Sequence, residues 1–222
     1  MLNNARMPAP ALLRPSREVD WRVDNEAIPY EAALHAMQAH VEAIATARAP
    51  ECVWLLEHPS LYTGGTSTDP VELLDPHRFP VHRTGRGGRF TYHGPGQRVA
   101  YVMLDLNKRG RDVRAFVSSL QDWLIAALAQ LGVAGERHDD RIGVFVDDAK
   151  IASVGIRVRH WVTFHGVSLN VAPDLEHFSG IVPCGLNGPV TSLAALGGTT
   201  EMDQVDAALR AAFDEMFVRD VS

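Results

Sequence analysis

The stretch from Ile142 to Val171, IGVFVDDAKIASVGIRVRHWVTFHGVSLNV, decides the fold class. Its Val- and Ile-rich runs are typical of β-strands. The runs are 142–146, 151–158 and 161–171. They are joined by only a few residues, which favours antiparallel hairpins, because a parallel crossover needs roughly a dozen residues or more. Two further apolar runs, 52–56 and 99–106, extend the predicted sheet.

Three amphipathic helices are predicted around these strands. Apolar residues recur at three- and four-residue spacing over 30–47, over 113–131 and from 202 to 216. Asp112 is the expected N-cap of the second helix and Gly132 its end. Thr200 and Asp203 resemble a capping box before the third helix. Helices packed on a mostly antiparallel mixed sheet make an α+β fold.

The composition fits one globular domain. The chain has 222 residues, 46% of them hydrophobic and 22% charged. No apolar run approaches the roughly 20 residues that a membrane-spanning helix needs. We expect residues 1–17 to form a disordered leader and residues 18–222 to form a single domain. The leader lacks the apolar core of a secretory signal, and its arginines leave a mitochondrial presequence as the weaker alternative.

The two cysteines, Cys52 and Cys184, lack the spacing of a zinc knuckle or a disulfide framework. Reduced thiols favour the cytoplasm. Cys52 precedes an apolar run and is predicted to be a core residue. Cys184 lies in a loop between Pro183 and Gly185, where backbone N–H groups can face a reacting carbonyl. That context leaves both a nucleophile and an ordinary loop thiol open. The histidines form no zinc pattern, so no metal ion is expected.

A glycine-rich segment, RTGRGGRFTYHGPGQ at residues 83–97, is the second chemical feature. Glycines let backbone N–H groups approach a ligand closely, while Arg, Thr and His side chains supply hydrogen-bond donors. The segment matches neither a Walker loop nor a dinucleotide fingerprint. From composition alone, a solvated loop with turn glycines stays an alternative. His93 and His165, each followed by glycine, are secondary candidates that could equally be structural histidines.

Lys150 is the third feature, because the chain has only two lysines but 19 arginines. A lysine exchanges a proton near neutrality more readily than an arginine does, so chemistry is one reason for its presence. A solvated residue at the start of a strand is the other interpretation.

These segments, in this order and spacing, resemble the lipoyl(octanoyl) transferase family, which has the biotin/lipoate protein ligase fold. The resemblance covers most of the chain after the leader, including Leu55–Pro59. It continues through the stretches 86–97, 150–155, 165–171 and 183–185. The leader lies outside the resemblance.

The resemblance implies the site residues. Cys184 would carry the acyl thioester, and Lys150 would lower the pKa of its thiol. The implied substrate-binding residues are Arg86, Gly87, Gly88, Arg89, Phe90, Thr91, Tyr92, His93, Ser153, Val154, Gly155, Gly166, Val167 and Ser168.

The implied reaction moves an octanoyl group from octanoyl-acyl carrier protein onto Cys184 and then onto a lysine of a lipoyl domain. The implied acceptors are the lipoyl domains of 2-oxoacid dehydrogenase E2 subunits and the glycine cleavage H protein. No cofactor, nucleic acid or membrane partner is expected. Because amide formation from a thioester is downhill, ATP should be irrelevant. Neutral Lys150 is the candidate proton acceptor for the incoming amine.

The net charge of -6 is unevenly distributed. Residues 78–114 contain eight Arg and one Lys against two Asp, a net charge of +7, whereas the remainder carries -13. This basic segment predicts a docking surface for the acidic carrier, with Arg109 and Arg111 as its test residues.

Three other functions stay open on the sequence alone. An ATP-dependent lipoate or biotin ligase would share the fold but would need no cysteine, and Pro183-Cys184-Gly185 argues against it. A non-catalytic carrier-binding module would be indifferent to loss of Cys184. A cysteine hydrolase would release the acyl group to water instead of to an amine.

Overall fold

The structure, a computed structural model, describes residues 19–182 and 188–218. Within these ranges the strands are β1 (Val19–Ala27), β2 (Glu51–Glu57), β3 (Leu61–Gly64), β4 (Val81–Arg83), β5 (Phe90–His93), β6 (Gln97–Met103), β7 (Val144–Val146), β8 (Ala149–Arg159) and β9 (Val162–Asn170). The α-helices are α1 (Tyr30–Ala45), α2 (Val113–Gln130) and α3 (Met202–Phe213), and a π-helical turn follows at Asp214–Val218.

The main sheet has six strands in the order β1-β2-β6-β9-β8-β7. Only the β1–β2 pair is parallel, and the hairpins β7–β8 and β8–β9 are antiparallel. A second, three-stranded sheet has the order β4-β3-β5. The prediction of an α+β fold with a mostly antiparallel mixed sheet is therefore confirmed.

Helices cover both faces of the main sheet because the strands alternate apolar side chains between the faces. Val53 and Leu55 of β2 point towards α2 and α3, in a core that includes Trp123 and Phe213. Trp54 and Leu56 of the same strand point to the other face, where α1 packs. A third cluster, with Tyr62, Tyr92 and Phe178, joins the small sheet to the turn of 3-10 helix at Leu175–Gly180.

The predicted helices are found, and one cap is wrong. Asp112 accepts a hydrogen bond from the backbone N–H of Ala115 and caps α2 as expected, and Gly132 follows the helix with a positive φ. α3 begins one residue later than expected. Its N-cap residue is Glu201, which makes no capping hydrogen bond, so Thr200 and Asp203 are out of register for a capping box.

Strand boundaries differ more. The run 99–106 ends as a strand at Met103, and Leu106–Lys108 forms a 3-10 turn. The sequence pattern does not predict β1, β3, β4 or β5, and β5 lies inside the glycine-rich segment 83–97. Within the described ranges, no helix combines the length and apolarity needed to cross a bilayer.

Candidate active site

The strand register brings two of the sequence motifs together. On β8 and β9, Ser153 pairs with Ser168, Val154 with Val167, and Gly155 with Gly166. β6 lies on the other side of β9, with Tyr101 opposite Gly166. A Cβ atom at Gly166 would lie 2.1 Å from the carbonyl oxygen of Ala100. Glycine is required at this position because β6 and β9 approach each other so closely.

Arg86 organises the loop that precedes β5. Its buried guanidinium donates hydrogen bonds to the carbonyl oxygens of Thr63, Gly87 and Arg89, at 2.8, 2.9 and 3.0 Å. The backbone N–H of Gly87 donates to the carbonyl of Ile156 on β8 at 2.9 Å. The loop is thereby held over the strand that carries Ser153, Val154 and Gly155.

The loop and the strands enclose a cavity, which we call the acyl cavity. All of the sequence-predicted substrate-binding residues except Gly87 and Tyr92 line it. Gly87 lines the neighbouring cavity. The Tyr92 hydroxyl contacts Ser60 and His177 at 3.0 and 2.8 Å, in the cluster that contains Tyr62 and Phe178. Contact of these residues with an acyl chain stays a prediction.

Five further residues line the acyl cavity: Tyr30, Thr63, Val99, Tyr101 and His165. Of these only His165 was a candidate from the sequence, because it precedes a glycine. Tyr30 begins α1 and Tyr101 lies within an apolar strand, so their local patterns resemble core positions. Their common location depends on the pairing of β6 with β9 and on the packing of α1.

The acyl cavity is bordered by buried aromatic and imidazole rings. His58 contacts the Tyr101 hydroxyl at 2.6 Å through Nε2 and the Ile28 carbonyl at 2.6 Å through Nδ1. The Tyr30 hydroxyl and His165 Nε2 are buried and have no hydrogen-bond partner in the described part of the chain. Two polar atoms of residues that line the acyl cavity are therefore left without a partner in the described part of the chain.

Burial controls the ionisation of these rings. It lowers the pKa of His93 to about 3, with His58 and Arg86 acting in the same direction. It lowers the pKa of His165 to about 3, again with Arg86 contributing, and that of His58 to about 4. It raises the pKa of Tyr30 to about 12. These rings are therefore neutral at pH 7, beside the charged guanidinium of Arg86.

Lys150 lines a second, larger cavity of about 560 Å³, which we call the outer cavity. Its Nζ donates a hydrogen bond to the Ile142 carbonyl at 3.1 Å and lies 5.3 Å from the centre of the Phe145 ring. The outer and acyl cavities share four lining residues, namely Gly88, Arg89, Val154 and Gly155. A substrate that reaches Lys150 is therefore next to the acyl cavity.

Cys184 lies outside the described residues. On its N-terminal side, the backbone N–H of Val182 donates to the carbonyl of Glu72 at 2.8 Å. On its C-terminal side, Gly188, Pro189 and Val190 line the outer cavity beside Lys150. The described chain after residue 187 is thus part of the wall of the outer cavity.

The other cysteine is a core residue, as predicted. Cys52 is buried in the cluster under α1, and burial raises the pKa of its thiol to about 11. In residues 19–182 and 188–218, no group of three or more His, Cys, Asp or Glu side chains is placed to hold a metal ion.

Only some of the basic side chains in segment 78–114 lie on the surface. The choice of Arg109 as a docking residue is therefore wrong. Arg109 is buried and donates to Glu51 at 2.8 Å. Arg98 is also buried, and it pairs with Asp206 at 2.8 Å. The buried partners compensate these charges internally. The exposed basic residues of the segment are Arg83, Arg89, Lys108, Arg111 and Arg114.

Solved structures share this fold. A lipoate-protein ligase A bound with ATP superposes with a TM-score of 0.67 at 16% identity, over 90% of this chain and 88% of that one. A bi-partite lipoate protein ligase from Thermoplasma acidophilum, solved as part of an archaeal lipoylation system with its E2 lipoyl domain, gives 0.67 at 16%, over 91% and 87%. At these identities the likeness shows the fold alone.

Sequence comparison shows the family. The lipoyl protein ligase A/B catalytic domain model matches residues 29–214. The octanoyltransferase of Parvibaculum lavamentivorans is 59% identical over 90% of this chain and 93% of its own length. Those of Paramagnetospirillum magneticum and Caulobacter vibrioides are 58% and 56% identical, over 91% and 90% of this chain and 98% and 92% of their own lengths. The chain therefore belongs to the octanoyltransferases, an acyltransferase family within the lipoyl protein ligase A/B catalytic domain family.

Proposed function

We propose that this protein transfers an octanoyl group from octanoyl-acyl carrier protein, through a thioester on Cys184, to the ε-amine of a lipoyl-domain lysine. The observation that carries the proposal is the position of Lys150 in the outer cavity. This cavity lies beside the acyl cavity, which is lined by residues of the stretches 86–93, 153–155 and 166–168. High identity to octanoyltransferases along about 90% of the chain supports the same reaction.

In the first half-reaction, the Cys184 thiolate attacks the carbonyl carbon of the donor thioester. A new C–S bond forms to Cys184, and the C–S bond to the carrier breaks. Lys150, as an ammonium, gives its proton to the departing carrier thiolate. Before this step the ammonium stabilises the Cys184 thiolate, and lowering the thiol pKa by about two units needs only ~2.7 kcal/mol.

In the second half-reaction, the acceptor lysine attacks the thioester on Cys184. A C–N bond forms, the C–S bond breaks, and the thiolate of Cys184 is regenerated. The proton lost by the attacking amine goes to Lys150, which is neutral after the first half-reaction. The two half-reactions therefore return Lys150 to its starting state without ATP.

The partners and compartment belong to the same proposal. The donor is the acidic acyl carrier protein, which approaches the outer cavity over the exposed basic residues of segment 78–114. The acceptors are the lipoyl domains of 2-oxoacid dehydrogenase E2 subunits and the glycine cleavage H protein. Residues 18–222 act as one catalytic domain in the cytoplasm, and residues 1–17 lie outside it.

The test is the intact mass of the protein after mixing with octanoyl-acyl carrier protein in the absence of ATP. We expect wild type to gain one octanoyl group and Cys184→Ala to gain none, because the thioester needs the Cys184 sulfur. Adding a lipoyl domain should then discharge the adduct and leave octanoyl-lysine on that domain.

Cys52→Ala is the matched control, since Cys52 is the other thiol and is buried. This variant should still form the adduct. An adduct that disappears with Cys52 and persists in Cys184→Ala would contradict the proposed nucleophile. Transfer that depends on ATP would favour a ligase, and release of free octanoate in place of octanoyl-lysine would favour a hydrolase.

A further inference from the structure

A series of buried hydrogen bonds connects the acyl cavity with the backbone of Lys150. His93 Nδ1 contacts Gln97 Oε1 at 2.7 Å, and Gln97 Nε2 donates to Asn170 Oδ1 at 2.9 Å. Asn170 Nδ2 donates to the Thr191 carbonyl at 2.9 Å, and the Thr191 N–H donates to the Lys150 carbonyl at 2.9 Å. All five residues are buried.

The orientation of the two side-chain amides in this series follows from the backbone carbonyl at its end. The backbone carbonyl of Thr191 can only accept, so Asn170 must present its amide nitrogen there and its oxygen to Gln97. Gln97 therefore presents its nitrogen to Asn170, and also to the carbonyl of Tyr92 at 3.2 Å. Its oxygen is left for His93, which must carry its proton on Nδ1. In this arrangement each amide nitrogen faces an acceptor and each amide oxygen faces a donor.

At the end of this hydrogen-bond series, both backbone polar groups of Lys150 are bonded to the segment 189–191. The Lys150 N–H donates to the Pro189 carbonyl at 2.8 Å, and its carbonyl accepts from Thr191. Residues 189–191 thus pair with Lys150 like a short parallel strand, with a bridge between Lys150 and Val190. Pro189 and Val190 of this segment also line the outer cavity.

Asn170 is the anchor of that segment. Its side chain holds the Thr191 carbonyl, and its own carbonyl accepts from the Leu193 N–H at 3.0 Å. Gln97 lies directly opposite Asn170 in the β6–β9 register, so the sheet holds both amides in place. An apolar side chain at position 170 would leave buried donors and acceptors unpaired.

We propose that Asn170, supported by Gln97, is a positioning residue: it fixes the 189–191 segment, and through it the backbone of Lys150, in the arrangement that activates Cys184. The inference rests on the proposed function. Neither Asn170 nor Gln97 lines the acyl or the outer cavity, so they act through Lys150 and not by touching the acyl group.

The first test is Asn170→Leu, which keeps the branching and the number of side-chain non-hydrogen atoms and removes both hydrogen bonds of the side chain. The readout is the pH profile for alkylation of Cys184 by iodoacetamide, followed by peptide mass. We expect the midpoint to rise by about one pH unit, which means roughly tenfold less thiolate at neutral pH. The kcat should fall about tenfold or more, with the KM for octanoyl-acyl carrier protein changed less than threefold.

Asn170→Asp tests the hydrogen bonds themselves and keeps the proposal testable if the leucine variant does not fold. A carboxylate at position 170 would face the Thr191 carbonyl without a proton to donate. A protonated carboxyl group restores both bonds, one donated to Thr191 and one accepted from Gln97. The activity of Asn170→Asp relative to wild type should therefore rise as the pH is lowered from 8 to 6.

Thr163→Val is the matched control for loss of buried hydrogen bonds. Thr163 lies on the same strand, is fully buried, and bonds to the Val102 carbonyl at 2.7 Å and the Leu104 N–H at 3.0 Å. It is seven residues from Asn170, roughly 23 Å along the strand. This variant should lose thermal stability without moving the alkylation profile of Cys184.

The outcomes separate the inference from the proposed function. If wild type forms the octanoyl adduct but folded Asn170→Leu and Asn170→Asp alkylate and turn over as wild type does, the positioning role is wrong. An equal shift in Thr163→Val would also overturn it, because the effect would then be general destabilisation. If wild type forms no adduct, the proposed function itself fails.

Discussion

At the scale of single residues, burial keeps three histidines uncharged at pH 7. His58, His93 and His165 border the acyl region with lowered pKa values, and the permanent charge among them is that of Arg86. A neutral imidazole costs less to bury than an imidazolium. The interior is thereby suited to an apolar chain, at the expense of stability in acid.

Stability should fall as the pH drops from 7 to 5. The unfolded state takes up protons at histidine pKa values near 6.5, while the folded state stays unprotonated until about pH 4 or below. The unfolded state therefore binds more protons in this window, so the free energy of unfolding rises with pH and is lost on acidification. We expect a loss of about 2 kcal/mol for each of the three histidines, measured by urea unfolding.

His165→Asn isolates one of these contributions. Asparagine tolerates the positive φ of 59° at this position, and His165 Nε2 has no partner in the described residues. The variant should lose about 2 kcal/mol less than wild type between pH 7 and pH 5. Parallel pH dependences for variant and wild type would contradict a neutral, buried His165.

At the scale of elements, the site depends on how closely β6, β8 and β9 approach. The motifs 153–155 and 166–168, whose glycines are 11 residues apart in sequence, become direct neighbours through the β8–β9 hairpin. Gly166 also allows β6 to pack against β9, because a side chain there would meet the Ala100 carbonyl. Gly166 thus permits the close pairing of β6 with β9 and also lines the acyl cavity.

Gly166→Ala should destabilise the sheet by about 3 kcal/mol, because the added methyl group can be accommodated only if the two strands separate. The measurement is the urea midpoint at pH 7.5. Gly87→Ala is the control, since a Cβ atom there would be 3.8 Å from its nearest neighbour outside adjacent residues. It should change stability by less than about 0.5 kcal/mol. Equal losses in both variants would contradict the close approach of β6 and β9.

At the scale of the whole molecule, the basic segment divides into buried and exposed charges. Arg86, Arg98 and Arg109 are internal and bonded to other parts of the chain. Arg111 and Arg114 are exposed at the start of α2, whose Val113 lines the outer cavity. The net charge of the segment therefore overstates the surface available to an acidic partner.

The double reversal Arg111→Glu and Arg114→Glu should raise the KM for octanoyl-acyl carrier protein about threefold to tenfold at low salt. The kcat should be unchanged, because neither side chain lines the acyl or the outer cavity. The difference should shrink at about 0.5 M salt, where charges are screened within a few ångströms.

Arg210→Glu on α3 makes the same kind of charge change at another exposed position and should leave this KM within twofold of wild type. A KM that is insensitive to the double reversal, or equally sensitive to Arg210→Glu, would show that the start of α2 is not the docking surface. Arg109 is unsuitable for this test, because its reversal would place a carboxylate against the buried Glu51.

The sequence by itself determined the helices, the three strands between Val144 and Asn170, the α+β class and the family. These depend on local periodicity, on short connections and on motifs whose order is a property of the chain. It also indicated Lys150 and, through the resemblance of its motifs to the octanoyltransferase family, most of the residues that line the acyl cavity.

Only the tertiary structure decided what depends on distant partners. β1 carries many exposed polar residues and is a strand because it pairs with β2. Tyr30 and Tyr101 reach the acyl cavity from different elements, and Arg109 is buried because Glu51, 58 residues away, compensates its charge. The Gln97–Asn170 pair likewise exists only in the β6–β9 register. Burial and hydrogen bonding are relations between segments, and the local pattern of one segment does not contain them.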